Sequence, residues 1–178
     1  MKEKNSIYIF DANIFLTGID FNIIEGIIYT TPSIVDEVKA SKYLEKNRNI
    51  LNKIYAAIEA KKLKIKLPKD IYISKVIETS KKTGDFKALS DADKDLIALT
   101  LELIKNTDGV VQVYSNDYSV ENVCDELNIR FSSLYKNGIE SKIIWQIFCP
   151  HCKKIYKAED LNQLCEICGT KLRRRPKK

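Results

Sequence analysis

The first apolar run of the chain, Ile7-Tyr8-Ile9-Phe10, has no polar break and stops at Asp11. Such a run predicts a short strand buried on both faces, as in a parallel sheet. A second short strand is expected at 27–30 (IIYT), and TPSIVDEVK then starts a helix with Thr31 as N-cap and Pro32 in the first position. Leu44, Leu51, Ile54, Tyr55 and Ile58 follow a helical period. Alternation in KLKIKLP (62–68) predicts a strand, and Asp70 to Lys82 a helix that ends near Gly84. The most strongly periodic helix is LSDADKDLIALTLELIK, at 89–105. A strand at 110–115 (VVQVYS), a short helix at 119–127 and a last strand at 129–134 (IRFSSL) complete the series. Strands alternating with helices predict an α/β fold with a mainly parallel sheet flanked by helices. The pattern breaks over 135–142 (YKNGIESK), which divides the chain into a domain at 1–140 and a small module at 141–178.

A chain of 178 residues can bury one full core and carry one small extra module. Its 44% hydrophobic and 30% charged residues are those of a soluble globular protein. No apolar run approaches the ~20 residues of a membrane span, and MKEKNS leads into no signal-peptide apolar region, so a cytoplasmic protein without a membrane partner is expected. Four of the five cysteines fall within 149–168, and such clustering in a cytosolic chain favours a metal over disulfides. From Cys149 onward nine basic residues face three acidic ones, which accounts for the whole net charge of +6. The end KLRRRPKK reads as a basic tail suited to a polyanion, with a solubilising terminus as the plain alternative. As a tail, residues 171–178 should be removable without loss of the metal site.

In a parallel sheet, ligands bind outside the carboxyl ends of the strands. Asp11 leaves the first strand at that edge, and Asp117 leaves the VVQVY strand at the same edge. Glu37 lies about one turn into the helix after the second strand, and Asp93 lies in the first turn of the helix beginning at Ser90. Crowded carboxylates repel and raise each other's pKa, so such a cluster persists most readily around a divalent cation. Hard oxygen ligands suit Mg²⁺ or Mn²⁺. Each acid alone also has a structural account. Asp93 can close a capping box with Ser90, with Asp91 and Asp95 as dipole partners, and Asp117 can cap the next helix. Asp36 and Glu37 can be a surface pair, and Asp11 can begin an Asx turn with Ala12 and Asn13. Four acids at four predicted ends near one edge favour the metal site.

The second module carries Cys149-Pro-His-Cys152 and Cys165-Glu-Ile-Cys168-Gly169. Two C-x2-C knuckles separated by a short loop are the arrangement of a four-thiolate structural zinc site, and Gly169 lets the second knuckle turn sharply. A dithiol redox pair, or His151 in place of one sulfur, are the alternatives. His151 fits a surface or RNA-facing position better. Cys124 shares the apolar side of a short helix with Val120, Val123 and Leu127, which makes it a core residue.

FDAN, VDEV, SDADKDLIAL and SNDYSVENV, in this order and spacing, resemble the PIN-domain nucleases over about residues 7–134. The resemblance implies an acidic quartet at Asp11, Glu37, Asp93 and Asp117, supported by Asn13 and Ser115, with Asp91 as the reserve ligand. A PIN-like domain followed by a four-cysteine zinc ribbon and a basic end is similar to the Nin-one-binding protein family in its compact archaeal form. The stretch GIESKIIWQIFCPHC is part of that likeness. It implies a metal-dependent endoribonuclease that cuts precursor rRNA at the 3′ end of the small-subunit rRNA, leaving a 5′-phosphate and a 3′-hydroxyl. Mn²⁺ or Mg²⁺ would act at the acids and Zn²⁺ would be structural. The implied partners are the pre-ribosomal small subunit and ribosome-assembly proteins. An acidic pocket repels phosphates. Lys153, Lys154, Lys171, Arg173, Arg174, Arg175, Lys177 and Lys178 are the candidate RNA contacts that offset this at longer range. Tyr156 can stack on unpaired bases, whereas Trp145 is better read as packing between ribbon and domain. A haloacid-dehalogenase-like phosphatase would need a second Asp where Asn13 stands. The remaining alternatives are a PIN ribonuclease acting on another RNA, and an assembly factor whose acidic site is idle.

Overall fold

The computed structural model describes residues 6–40, 44–133 and 142–177. Of the predicted boundary at 135–142 only Lys142 is therefore described, and Lys178 and the side chain of Leu44 lie outside the described residues.

Strands β1 (Ser6–Phe10), β2 (Ile27–Thr30), β3 (Leu63–Ile65), β4 (Val110–Tyr114) and β5 (Phe131–Ser132) form a wholly parallel sheet in the order β3-β2-β1-β4-β5. The helices are α1 (Ala12–Leu16), α2 (Pro32–Ala40), α3 (Leu44–Glu59), α4 (Asp70–Thr83), α5 (Asp91–Asn106) and α6 (Tyr118–Glu126). The chain steps from β1 out to β3 and then returns to the other side of β1 for β4. The crevice of such a sheet opens at this reversal, between the carboxyl ends of β1 and β4.

Side-chain alternation explains how the sheet is buried. Ile7, Ile9, Val111 and Val113 are buried on one face, while Tyr8, Gln112 and Tyr114 are only half-buried on the other. Burial on both faces, as the apolar run predicts, is met at Phe10 and only partly at Tyr8. In α5 every residue from Leu96 to Leu103 is buried, and the helix packs against β4, α2 and α4. A helix apolar around most of its circumference is a core helix.

Four expectations change. Asp11 precedes a short helix, α1. The strand expected at 62–68 shrinks to Leu63–Ile65; beyond it the buried carboxylate of Glu102 accepts from the Lys69 N–H at 2.9 Å and pairs with Lys66 at 2.8 Å. Of the described residues of the last expected strand, 129–133, Phe131–Ser132 are in the sheet.

The fourth change concerns the basic end. β6 (Trp145–Phe148), β7 (Ile155–Tyr156) and β8 (Arg173–Pro176) form an antiparallel sheet in the order β7-β6-β8. The supposed tail is thus a strand, and Leu172, 1% exposed, shares a small core with Ile147, Cys149 and Cys165. Arginines suit this strand because β6 offers them aromatic faces: Arg174 lies 4.5 Å from the Trp145 ring centroid and Arg175 lies 4.4 Å from that of Phe148. Removing 171–178 would take away a strand and a core residue, so the expectation that the metal site survives it is not sustained.

The ribbon is fastened to the larger domain at one buried carboxylate. Asp85 is fully buried and accepts from Arg174 Nη1 at 2.8 Å and from Asn122 Nδ2 at 2.6 Å. Asn122 also holds the backbone of Ile143, donating to its carbonyl at 2.7 Å and accepting from its N–H at 2.8 Å. Gly84 has φ +81°, and a Cβ there would stand 2.5 Å from the Trp145 carbonyl oxygen. Both the left-handed turn and the close approach of Trp145 therefore require glycine. Trp145 is packing, as expected. Removing one partner of a buried pair strands the other charge, so Arg174→Met should lower stability by about 3 kcal/mol in chemical denaturation. Unfolding at the wild-type midpoint would show that the pair contributes nothing.

Among the described residues no helix is long and apolar enough to cross a membrane.

Candidate active site

Asp11 sits where the apolar run of β1 gives way to α1. Its N–H donates to the Tyr114 carbonyl at 3.2 Å, so it stays tied to β4 beyond the end of the strand. The side chain is 3% exposed, and Ser115 Oγ donates to its Oδ2 at 2.8 Å. The same hydroxyl accepts from the Asp117 N–H at 3.1 Å. Ser115 thus couples the ends of β1 and β4 and fixes Asp117 at the start of α6.

The capping roles weighed for Asp93 and Asp117 are real. Asp93 closes a capping box: its Oδ2 accepts from the Ser90 N–H and hydroxyl, both at 2.8 Å, and its own N–H donates to Ser90 Oγ at 3.0 Å. Asp117 caps α6 by accepting from the Ser119 N–H at 2.7 Å. Capping and ligation are compatible, since a cap holds a carboxylate at a fixed place beside a helix N-terminus.

The charges of the four acids reach one another. Burial pushes Asp11 up from 3.8 to about 6; the Ser115 hydrogen bond opposes this, and the charges of Asp93 and Asp117 add to it. Asp93 is raised by burial, against its bonds from Ser90, and by Asp117. Glu37, exposed on α2, is raised by partial burial and then by Asp93 and Asp11. Asp91 stands apart. Its side chain is 99% exposed and pairs with Lys94, whose hydrogen bond and charge hold it below the usual range. Asp36 pairs with Lys39 at 2.9 Å on the surface. Asn13 is exposed in the first turn of α1.

Sequence reasoning missed the staple that sets α2 against α5. Ser33 Oγ donates to Asp95 Oδ2 at 2.9 Å, and Thr31 Oγ1 lies 3.0 Å from Ser33 Oγ. Asp95 had read as a dipole partner at the start of α5. The one available signal was a serine in the first turn of the helix that carries Glu37.

In the ribbon, Cys149, Cys152, Cys165 and Cys168 bring four sulfurs within 4.8 Å of one another. A tetrahedron with metal–sulfur bonds of about 2.3 Å has edges of about 3.8 Å, so these sulfurs make a site able to hold a metal ion. Among the described residues this is the one group whose ligand atoms already stand at ion-binding separations. The two knuckles are built alike. The residue after each second cysteine is left-handed, Lys153 with φ 67° and Gly169 with φ 68°. Each donates its N–H back to the first cysteine's carbonyl, at 3.0 and 2.8 Å. The Tyr156 hydroxyl lies 3.0 Å from Cys165 Sγ and, with backbone amides, pulls that thiol down to about 6. Tyr156 therefore has a contact in the ribbon beyond its candidate stacking role. His151 is exposed and Cys124 is fully buried, as expected for both.

The basic candidates differ in what engages them. Arg174 is held by Asp85, Lys154 pairs with Glu166, and Lys153 donates to the Pro150 carbonyl at 2.6 Å. Arg175 donates to Gln146 at 3.1 and 3.3 Å. Lys171, Arg173 and Lys177 are exposed.

A family model described as the PIN domain of ribonuclease matches residues 8–103. The chain is 34% identical over 167 residues to endoribonuclease Nob1 of Methanocaldococcus jannaschii, covering 94% of this chain and 76% of that one. It is 34% identical over 170 residues to endoribonuclease Nob1 of Pyrococcus abyssi, covering 96% and 94%. Ribonuclease VapC1 of Thermoplasma acidophilum is 29% identical, covering 94% of this chain and 77% of that one. A parallel sheet with acids gathered at its switch point, under that model, defines a PIN-domain protein. Its extended likeness to the first two relatives narrows this: the chain belongs to the Nob1, or Nin-one-binding, endoribonuclease family.

Proposed function

We propose that this chain is a metal-dependent endoribonuclease that cuts precursor rRNA at the 3′ end of the small-subunit rRNA, with Asp11, Glu37, Asp93 and Asp117 as its acidic centre. The observation that carries the reading is a desolvated Asp11, 3% exposed, that feels the charges of Asp93 and Asp117 at the β1–β4 crevice. The donor set is all oxygen, which fits a hard cation. Mn²⁺ or Mg²⁺ held by Asp11, Asp93 and Asp117, with Glu37 in the same or an outer shell, would acidify a water and offset charge gathering on the scissile phosphate.

In hydrolysis the water oxygen bonds to phosphorus and the P–O3′ bond breaks, which leaves a 5′-phosphate and a 3′-hydroxyl. Protein groups hold one oxygen of each acid: Ser115 on Asp11 Oδ2, Ser90 on Asp93 Oδ2 and Ser119 on Asp117 Oδ1. The second oxygen of each is the ligand in this proposal. Asn13 lies beside Asp11 on the exposed side and orients water or phosphate. The four cysteines hold structural Zn²⁺, and the exposed basic residues of the ribbon contact RNA.

A short RNA spanning the small-subunit 3′ end, incubated with Mn²⁺ or with chelator and then end-mapped, tests the reading. One metal-dependent cut at the mature end is expected. Equal cutting of unrelated RNA would favour a PIN ribonuclease with another substrate, and no cutting of any RNA would favour the idle-site assembly factor. Asp93→Asn should lower cleavage at least ~100-fold, since loss of even an outer-shell partner costs a metal site 10- to 100-fold. Asp91→Asn should stay within about twofold, because a solvated surface charge contributes little. The reverse ranking would make Asp91 the ligand.

A further inference from the structure

Between the α4–α5 loop and the ribbon lies a cleft of about 470 Å³ whose lining includes Lys87 and Ala88 from the loop and Leu161, Lys171, Leu172 and Arg173 from the ribbon. Ala88, Leu161 and Leu172 give it an apolar floor. Lys87, Lys171 and Arg173 are exposed cations that come from the two modules, and no carboxylate is among the lining residues. Arg174 also lines the cleft, but its charge is committed to Asp85. That pair, with Gly84 against Trp145, holds the ribbon against the α4–α5 loop, so cations of both modules line one cleft.

We propose that this cleft binds the sugar–phosphate backbone of the RNA strand beside the acidic centre, with Lys87 on one side and Lys171 and Arg173 on the other. The proposal rests on the nuclease reading for its ligand, and it adds Lys87, a residue of the larger domain that neither motif nor charge run singled out. A phosphate backbone suits the lining because it is an extended polyanion, and flexible ammonium and guanidinium groups take it without base specificity. Position supports the same ligand. Asp93 lies six positions after Lys87 and the last three of those positions belong to α5, so their backbones lie at most roughly 15 Å apart. An RNA strand leaving the acidic centre therefore meets this cleft within a few nucleotides. Cations there offset the repulsion that the four acids exert on the same strand, and Arg174 serves by holding the wall in place.

Binding of a labelled single-stranded RNA covering the small-subunit 3′ end would be measured against salt, using full-length zinc-loaded protein with Asp11→Asn so that the probe stays intact. Lys87→Glu and Arg173→Glu should each weaken binding roughly five- to tenfold and make the salt dependence shallower by about one phosphate contact. Together they should lose less than the product of the single losses, because both act on one backbone segment. Lys87→Gln in the otherwise wild-type enzyme should raise KM with kcat unchanged, a split that damage to the fold would not produce. Equal thermal stability of the variants excludes unfolding of the ribbon. Wild-type affinity and salt slope in Lys87→Glu, with loss only in Arg173→Glu, would confine RNA to the ribbon and overturn the cleft. If the wild-type chain cleaved no RNA while Lys87→Glu still lost affinity, the nuclease reading would fail and the cleft would stand.

Discussion

Asp11→Asn is expected to fold, to bind RNA at least as tightly as wild type, and to lose cleavage by at least about 100-fold. Asparagine keeps the size of the side chain and can still accept from Ser115 Oγ, so the link between β1 and β4 survives. It removes one negative charge from a site that must admit a phosphate, which is why binding should not fall. The pH behaviour of the metal-free protein separates charge from shape. The folded-state pKa of Asp11, about 6, lies above its ordinary 3.8. A carboxyl raised in this way is tolerated in its neutral form, so it detracts from stability as pH climbs from about 4 through 6, by roughly 2 to 3 kcal/mol at pH 7. Metal-free Asp11→Asn should therefore melt higher than metal-free wild type at pH 7 and alike near pH 4. Added Mn²⁺ should raise the melting temperature of wild type far more than that of the variant. A variant that cleaves near the wild-type rate, or a melting difference that ignores pH, would remove Asp11 from the centre.

Loss of the ribbon metal should have an effect of similar size on folding. Two of the four residues in the ribbon core, Cys149 and Cys165, are themselves proposed ligands, and Ile147 and Leu172 are the others. So small a core cannot hold three short strands together. The binding free energy of structural zinc, about 10 to 16 kcal/mol at neutral pH in comparable small sites, is then the folding free energy of the ribbon. Elemental analysis should find one zinc per chain. Cys149→Ser should lose it, unfold residues 145–176 and release Arg174 from Asp85, while the larger domain keeps its own core. Protein purified without zinc, with iron in its place, or with ribbon amides still protected from exchange in Cys149→Ser would contradict this.

What could be read from the sequence depended on how local the cause was. Asp11 stood out because an apolar run ended on it, and the caps at Ser90 and Asp117 because a cap is written within three residues. The parallel sheet followed from alternation alone. α1 escaped because five residues, ANIFL, are too few to display a helical period. β8 escaped because RRRP has no strand pattern of its own; its arginines lie in a sheet only through the aromatic side chains of β6, and strand preference is largely a matter of such neighbours. No local pattern marked Asp85. Its burial needs Asn122 and Arg174, which lie 37 and 89 positions away. The Ser33–Asp95 staple spans 62 positions and left no local mark either.

The central claim is that the acids at the carboxyl edge of β1 and β4 form one metal site. Anomalous scattering from crystals grown in Mn²⁺ tests it most directly. The expected result is manganese bound to carboxylate oxygens of Asp11, Asp93 and Asp117 at about 2.1 Å, with zinc separately at the four sulfurs and Asp91 still facing solvent. Manganese found at Asp91 or on the surface, with the crevice acids keeping only their hydrogen bonds to Ser90, Ser115 and Ser119, would show that these carboxylates cap helices and hold no metal.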